Sequence, residues 1–258
     1  MYRPRIIPVL LLKNQGLVKS IKFKKHRYIG DPINAVKIFN DKKADELVFL
    51  DIDATKVNRL ISIDFVRKVG DEANMPFAVG GGIKRLDDIR KILNQGAEKV
   101  VLNTIAFQDP NFIISAAQKF GSSTISICID VKKTLFGNYK LKYRNASKKS
   151  KYKLLEFVKL MEMNGAGELI IQSIDRDGTY NGYDLDLLRK VSKNVTIPVV
   201  ALGGAKDFDS FRNAINKSYA SAVAAGSLFV YHGPRKAVLI NYPEKNKIKK
   251  VGINEHFS

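Results

Sequence analysis

Apolar residues in this chain fall into short uninterrupted runs, most of them stopped within a few residues by glycine, aspartate or asparagine. Amphipathic stretches of helical period lie between them. The runs occupy 5–12, 46–50, 76–79, 99–102, 124–129, 168–172, 197–201 and 220–224. Runs this short, rich in Val, Ile and Leu and bounded by turn residues, predict strands buried on both faces. The pattern between them predicts helices at 31–40, 62–73, 86–94, 110–120, 154–164, 185–193 and 208–216, with a last helical piece at 235–240. Asp31 and Asp109 read as N-caps and Pro32 as a first helical residue, while Gly96 and Gly121 lie just past helix ends. Two basic stretches, 13–29 and 134–153, show no clear period and are expected to be loops.

Eight buried strands, each followed by a helix, specify an α/β chain with a parallel sheet. At 258 residues a closed (β/α)₈ barrel of the TIM type fits best. A doubly wound open sheet explains neither the strand count nor a repeat that covers the chain. Residues 75–82 parallel 197–204, 98–103 parallel 220–225, and 46–55 parallel 168–177, with Glu46 on Glu168. Residues 10–13 parallel 129–132, which sets Leu11 opposite Asp130. The expectation is one domain over 1–258, made of half-barrels at about 1–121 and 122–240 and a C-terminal tail at 241–258.

Composition narrows the classes. The chain is 45% hydrophobic, enough for a sizeable core. Cys128 is the single cysteine, so no internal disulfide framework exists and a reducing compartment is expected. No apolar run approaches the ~20 residues of a membrane span, and residues 1–5 lack the apolar core of a signal peptide. A cytoplasmic protein is expected. The net charge of +19 has three readings: a nucleic-acid surface, a solvated lysine-rich surface, or steering of an anionic substrate. The lysines are spread through most segments, clustering at 13–25, 132–153 and 245–250, which favours the solvated surface.

The candidate chemistry sits where the runs end. Residues 168–172 give way to Asp175, Arg176, Asp177 and Gly178, a charged loop at a strand's carboxyl end, where α/β folds place ligand chemistry. Gly80-Gly81-Gly82 and Gly203-Gly204-Ala205 each join a strand to a helix. A missing Cβ lets backbone N–H groups approach a phosphate, and the following helix favours the anion. Asn103-Thr104 and Ala225-Gly226-Ser227 follow the neighbouring strands. Each half therefore offers two adjacent strand ends for one phosphate, and the pair suits a ligand with two. Tight turns alone would also use such glycines, but two copies at matched positions favour phosphate.

Together the half-barrel repeat, Arg5-Ile6-Ile7-Pro8, residues 45–52, Gly80-Gly81-Gly82-Ile83 and Ser173-Ile174-Asp175-Arg176-Asp177-Gly178-Thr179 resemble the HisF family, the cyclase subunit of imidazole glycerol phosphate synthase. The resemblance spans almost the whole chain. It implies a barrel paired with a glutaminase subunit, HisH, whose ammonia enters the barrel base and reacts at the strands' carboxyl ends. It implies a charged gate at Arg5, Glu46, Lys99 and Glu168. Substrate-binding positions fall on Lys19, Asp51, Gly81, Gly82, Asn103, Thr104, Ser173, Asp177, Gly178, Gly203, Gly204, Ala225, Gly226 and Ser227. No cofactor and no metal are implied. Of the family's two catalytic aspartates, Asp130 matches the second, whereas Leu11 occupies the first. Gln172 and Leu202 stand where threonine and serine are usual.

The Leu-Leu-Leu-Lys start and the 224–233 tail are similar to a subset of HisF-like proteins. These accompany a second HisH-like glutaminase and a sugar amidotransferase in acetamidino-sugar synthesis for surface polysaccharide. Three readings follow: an ammonia-delivering barrel of that subset, an ordinary cyclase of histidine synthesis, and a basic nucleic-acid-binding barrel. The first is preferred because Leu11 cannot transfer a proton.

Overall fold

A computed structural model describes residues 4–233 and 235–243. The expected tail beyond 243, with the lysine cluster at 245–250, lies outside the described residues. Eight strands run parallel: β1 (Arg5–Lys13), β2 (Leu47–Asp51), β3 (Phe77–Gly80), β4 (Lys99–Leu102), β5 (Ile125–Lys133), β6 (Glu168–Ser173), β7 (Val199–Leu202) and β8 (Ala222–Ala225). Each pairs with the next, and β8 returns to β1 through Arg5↔Ala222 to Pro8↔Ala225, so the sheet closes. Seven helices of at least two turns lie between strands: α1 (Pro32–Asp41), α2 (Ile63–Glu72), α3 (Leu86–Leu93), α4 (Asn111–Phe120), α5 (Leu154–Met163), α6 (Leu185–Ser192) and α7 (Phe208–Ser218). Side-chain caps fix several starts: Asp31 accepts from the Asn34 N–H, Ser62 from Phe65, Asp184 from Leu187 and Asp207 from Ser210.

The two faces of each strand bury different things. Outward residues pack under the helices, with Phe39, Phe49, Phe157 and Phe211 fully buried there. Inward residues form a separate apolar column of Ile7, Val9, Val48, Ala78, Val101, Cys128, Ile170, Val200, Ala222 and Ala224. Because side chains alternate along a strand, this register sends the starts of β1, β4 and β6 to the floor of the barrel. The same register sends Leu11, Leu50, Asp130, Gln172 and Leu202 to its mouth.

Four sequence expectations are corrected. The stretch 13–29 is mostly a β-hairpin, Gly16–Ile21 against Lys24–Gly30, growing antiparallel out of β1 through Leu11↔Val18. The stretch 134–153 contains a strand, Tyr139–Tyr143, growing antiparallel out of β5 through Asp130↔Lys142. The half-barrel repeat thus extends to these excursions. Residues 235–240 do not form a helix; Ala237–Val238 pairs antiparallel with Tyr231–His232. Asp109 is not an N-cap: a short helix, Thr104–Gln108, precedes it, and its N–H closes on the Ile105 carbonyl.

Candidate functional site at the two ends of the barrel

At the floor, the first residue of β1, the residue before β2 and the first residues of β4 and β6 meet. Arg5 donates from Nη1 to Glu46 Oε2 and from Nη2 to Glu168 Oε2. Lys99 Nζ lies 3.0 Å from Glu46 Oε1 and 3.8 Å from Glu168 Oε1. Ser126 Oγ donates to Glu168 Oε1 at 3.0 Å. Both glutamates are buried, whereas the Arg5 and Lys99 side chains are 30% and 20% exposed. Burial works against the Arg5 cation, but Glu168 and Glu46 outweigh it and raise its pKa. Two cations and two anions thus close the floor as a neutral plug.

The mouth divides into two clefts. The larger, about 490 Å³, collects the first-half residues: Leu11, Asp51, Gly81, Gly82, Asn103, Thr104 and Asp130. The smaller, about 30 Å³, collects Lys19, Asp177, Gly178, Gly203, Gly204, Ala225, Gly226 and Ser227. Leu11, Ser20 and Gln172 line both. Ser173, expected at the substrate, lines neither. It is buried at the end of β6, and its carbonyl accepts the Asp177 N–H at 3.1 Å, which shapes the turn.

Asp130 is buried, and burial pushes its carboxyl up to about 7. The charge of Asp177 adds to the rise, while the hydrogen bond from Asn103 Nδ2 at 3.2 Å and the Cys128 thiol oppose it. Cys128 Sγ lies 3.9 Å from both Asp130 Oδ1 and Gln172 Oε1, and burial drives its own pKa well up. Asp130 can therefore give or take a proton near neutrality. Leu11 lines the same cleft and has no proton to exchange. Asp51 is committed to structure: Oδ1 accepts the N–H groups of Asp53 and Ala54, and Oδ2 lies 2.6 Å from Arg59 Nη1.

In the smaller cleft, Lys19 reaches in from the β1 hairpin. Its Nζ donates to the Val9 carbonyl at 2.5 Å. Burial lowers its pKa to about 8, against the opposing pull of Asp177. Asp177 is itself raised by burial and accepts from Ser20 Oγ at 3.2 Å. The hairpin also docks through Lys22 N–H to the Asp177 carbonyl at 3.0 Å. A Cβ on Gly226 would fall 2.1 Å from Lys19 Nζ, so this glycine makes room for the ammonium. Gly82, at φ +70°, and Gly204, at φ +103°, would place a Cβ 1.8 Å from the Arg59 carbonyl and 2.3 Å from the Gly182 carbonyl. Those two glycines are required by the backbone before any ligand arrives.

Sequence reasoning missed Ser20, His26, Lys56 and Arg144 at the clefts. Ser20 and His26 ride on a hairpin whose sequence reads as loop, and Arg144 on another; the Tyr-Lys-Leu-Lys-Tyr alternation at 139–143 was the available signal. Among the described residues, no cluster of three His, Cys, Asp or Glu is placed to hold a metal, and no helix is long and apolar enough to cross a membrane.

Comparison with known proteins gives a consistent result. The sequence profile of the family described as histidine biosynthesis protein matches residues 5–234. A Pseudomonas aeruginosa protein provisionally named imidazole glycerol phosphate synthase subunit hisF2 is 45% identical over 248 residues, 96% of this chain and 99% of that protein. A Vibrio vulnificus protein provisionally named subunit hisF3 is 43% identical, covering 97% and 96% of the two chains. The imidazole glycerol phosphate synthase subunit HisF of Alkaliphilus metalliredigens is 39% identical over 232 residues, covering 90% and 92%.

Proposed function

This chain belongs to the histidine biosynthesis protein family as a HisF-type barrel, and from that premise we propose that it is the ammonia-receiving subunit of a glutamine-dependent synthase, paired with a HisH-type glutaminase. The observation that carries the reading is the neutral plug of Arg5, Glu46, Lys99 and Glu168 at the floor, opposite a mouth with two glycine-lined clefts. Between the two ends the lining is apolar, with small Ala78, Ala222 and Ala224. Neutral ammonia crosses such a lining at little cost, whereas an ammonium ion loses its hydration. The plug acts as the gate, and the clefts hold the phosphate groups of the substrate.

Leu11 supports one of the two finer readings. By the HisF resemblance it stands where the family has one of two proton-transfer groups, each typically worth ~10²–10⁴ in rate. The ammonia then serves a different acceptor, and we assign the chain to acetamidino-sugar synthesis, delivering ammonia to a sugar amidotransferase. The ordinary cyclase of histidine synthesis is the second reading, favoured by Asp130 with its pKa of about 7. Turnover of the cyclase bisphosphate substrate with ammonium separates them. The proposal expects slow wild-type formation of imidazole glycerol phosphate and a gain of at most ~10²–10⁴-fold in Leu11→Asp. Wild-type protein as fast as an ordinary cyclase would overturn the sugar assignment. A gene neighbourhood of histidine genes rather than sugar-modification genes would do the same.

A further inference from the structure

The larger cleft carries more positive charge than its glycine loops need. Its titratable lining groups are His26, Asp51, Lys56, Cys128, Asp130 and Arg144, of which the Cys128 thiol stays uncharged because burial drives its pKa well up. Asp51 is neutralised by Arg59, and burial keeps Asp130 substantially protonated near neutral pH. His26 is pushed below its ordinary value by burial and by Lys13, which disfavours its charged form. Lys56 and Arg144 remain. Both are exposed, and among the described residues neither forms an ion pair. They reach the cleft from different loops: Lys56 from the turn after β2, Arg144 from the end of the β5 excursion.

The position of Arg144 is built. Arg144, Asn145 and Ala146 hold φ of 54°, 54° and 58°, three successive non-glycine residues in the left-handed region. That conformation is unfavourable for L-residues and persists where the surroundings impose it. Here the Arg144 N–H donates to Asn103 Oδ1 at 3.2 Å. Asn103 in turn donates through Nδ2 to the Cys128 carbonyl at 2.9 Å and to Asp130 at 3.2 Å. One asparagine therefore ties the Arg144 backbone to the buried acid.

We infer that Arg144 and Lys56 form a cationic clamp that binds the phosphate dianion resting on the Gly81-Gly82 and Asn103-Thr104 loops. The inference rests on the reading that these loops hold a phosphoryl group, and adds which side chains select its charge. A guanidinium offers two parallel N–H donors to a phosphate, which an ammonium cannot. The smaller cleft holds a different cation, the single buried ammonium of Lys19.

The test is titration of the full chain with inorganic phosphate, followed by amide resonances of Gly82 and Thr104 for one cleft and Gly204 and Ser227 for the other. Arg144→Gln should move the Gly82 and Thr104 midpoints about tenfold higher in phosphate, the lower end for charge-assisted hydrogen bonds at an exposed site. The Gly204 and Ser227 midpoints should stay in place, and Lys56→Gln should act the same way. Retention of the remaining amide dispersion shows that the variants are folded. Unchanged Gly82 and Thr104 midpoints in both variants would overturn the clamp while leaving the phosphate loops standing. A wild-type chain whose loops do not respond to phosphate would overturn the phosphate reading itself, and the clamp with it.

Discussion

The substitution Asp130→Asn removes a buried acid whose ionisation the fold opposes. An ordinary aspartate titrates near 3.8, whereas Asp130 is pushed up to about 7 by burial. That difference of about three units corresponds to ~4 kcal/mol at 1.36 kcal/mol per unit. Since the folded pKa is the raised one, the native state binds the extra proton between these values. Wild-type stability therefore falls as pH rises from about 4 to about 7, and the penalty is complete above 7. The amide of the variant does not titrate, and its side-chain oxygen still accepts from Asn103. Urea unfolding should show the variant gaining on wild type from pH 5 to pH 8, by a difference on the order of 2–4 kcal/mol. Equal slopes of ΔG against urea would show that the unfolded states match. A gap that stays constant with pH would refute the reasoning, because it would mean that Asp130 is ionised throughout or reached by water.

Glu168→Ala leaves Arg5 with one carboxylate and Ser126 without its acceptor, so unfolding should cost ~3 kcal/mol less, read by urea denaturation. Gly226→Ala drives a Cβ into the space of the Lys19 ammonium; phosphate should bind the smaller cleft at least several-fold more weakly by calorimetry, with the larger cleft unaffected. Lys19 also gives that cleft a pH dependence: its positive charge is present below about 8 and lost above it, so phosphate affinity there should decline as pH rises past that value.

The barrel was legible because its strands are buried on both faces, so they read as continuous apolar runs. The meeting of Arg5, Glu46, Lys99 and Glu168 was legible because each lies at or just before a strand start, and the closed parallel sheet brings those four positions together. The excursions were not. In 24–30 most side chains face solvent, and lysine and arginine mask the strand period. Contacts made by those hairpins were hidden for the same reason: Ser20 meets Asp177 across 157 positions of sequence. Arg144 owes its place to a hydrogen bond between its backbone and Asn103, which no side-chain pattern encodes. Ser173, expected at the substrate from its motif position, lies buried outside both clefts, and its carbonyl accepts the Asp177 N–H in the turn after β6. The stretch 235–240 carries helix-like spacing, yet the described residues there pair as a short hairpin.

The most direct measurement is light scattering of the purified chain mixed with the HisH-type glutaminase of the same cell, read alongside glutamine hydrolysis. A one-to-one complex is expected, with faster glutamine hydrolysis in it than in the glutaminase alone and weaker association when Arg5 and Lys99 at the floor are replaced by Glu. Separate elution of the two proteins, with hydrolysis unchanged by mixing, would contradict an ammonia-receiving barrel.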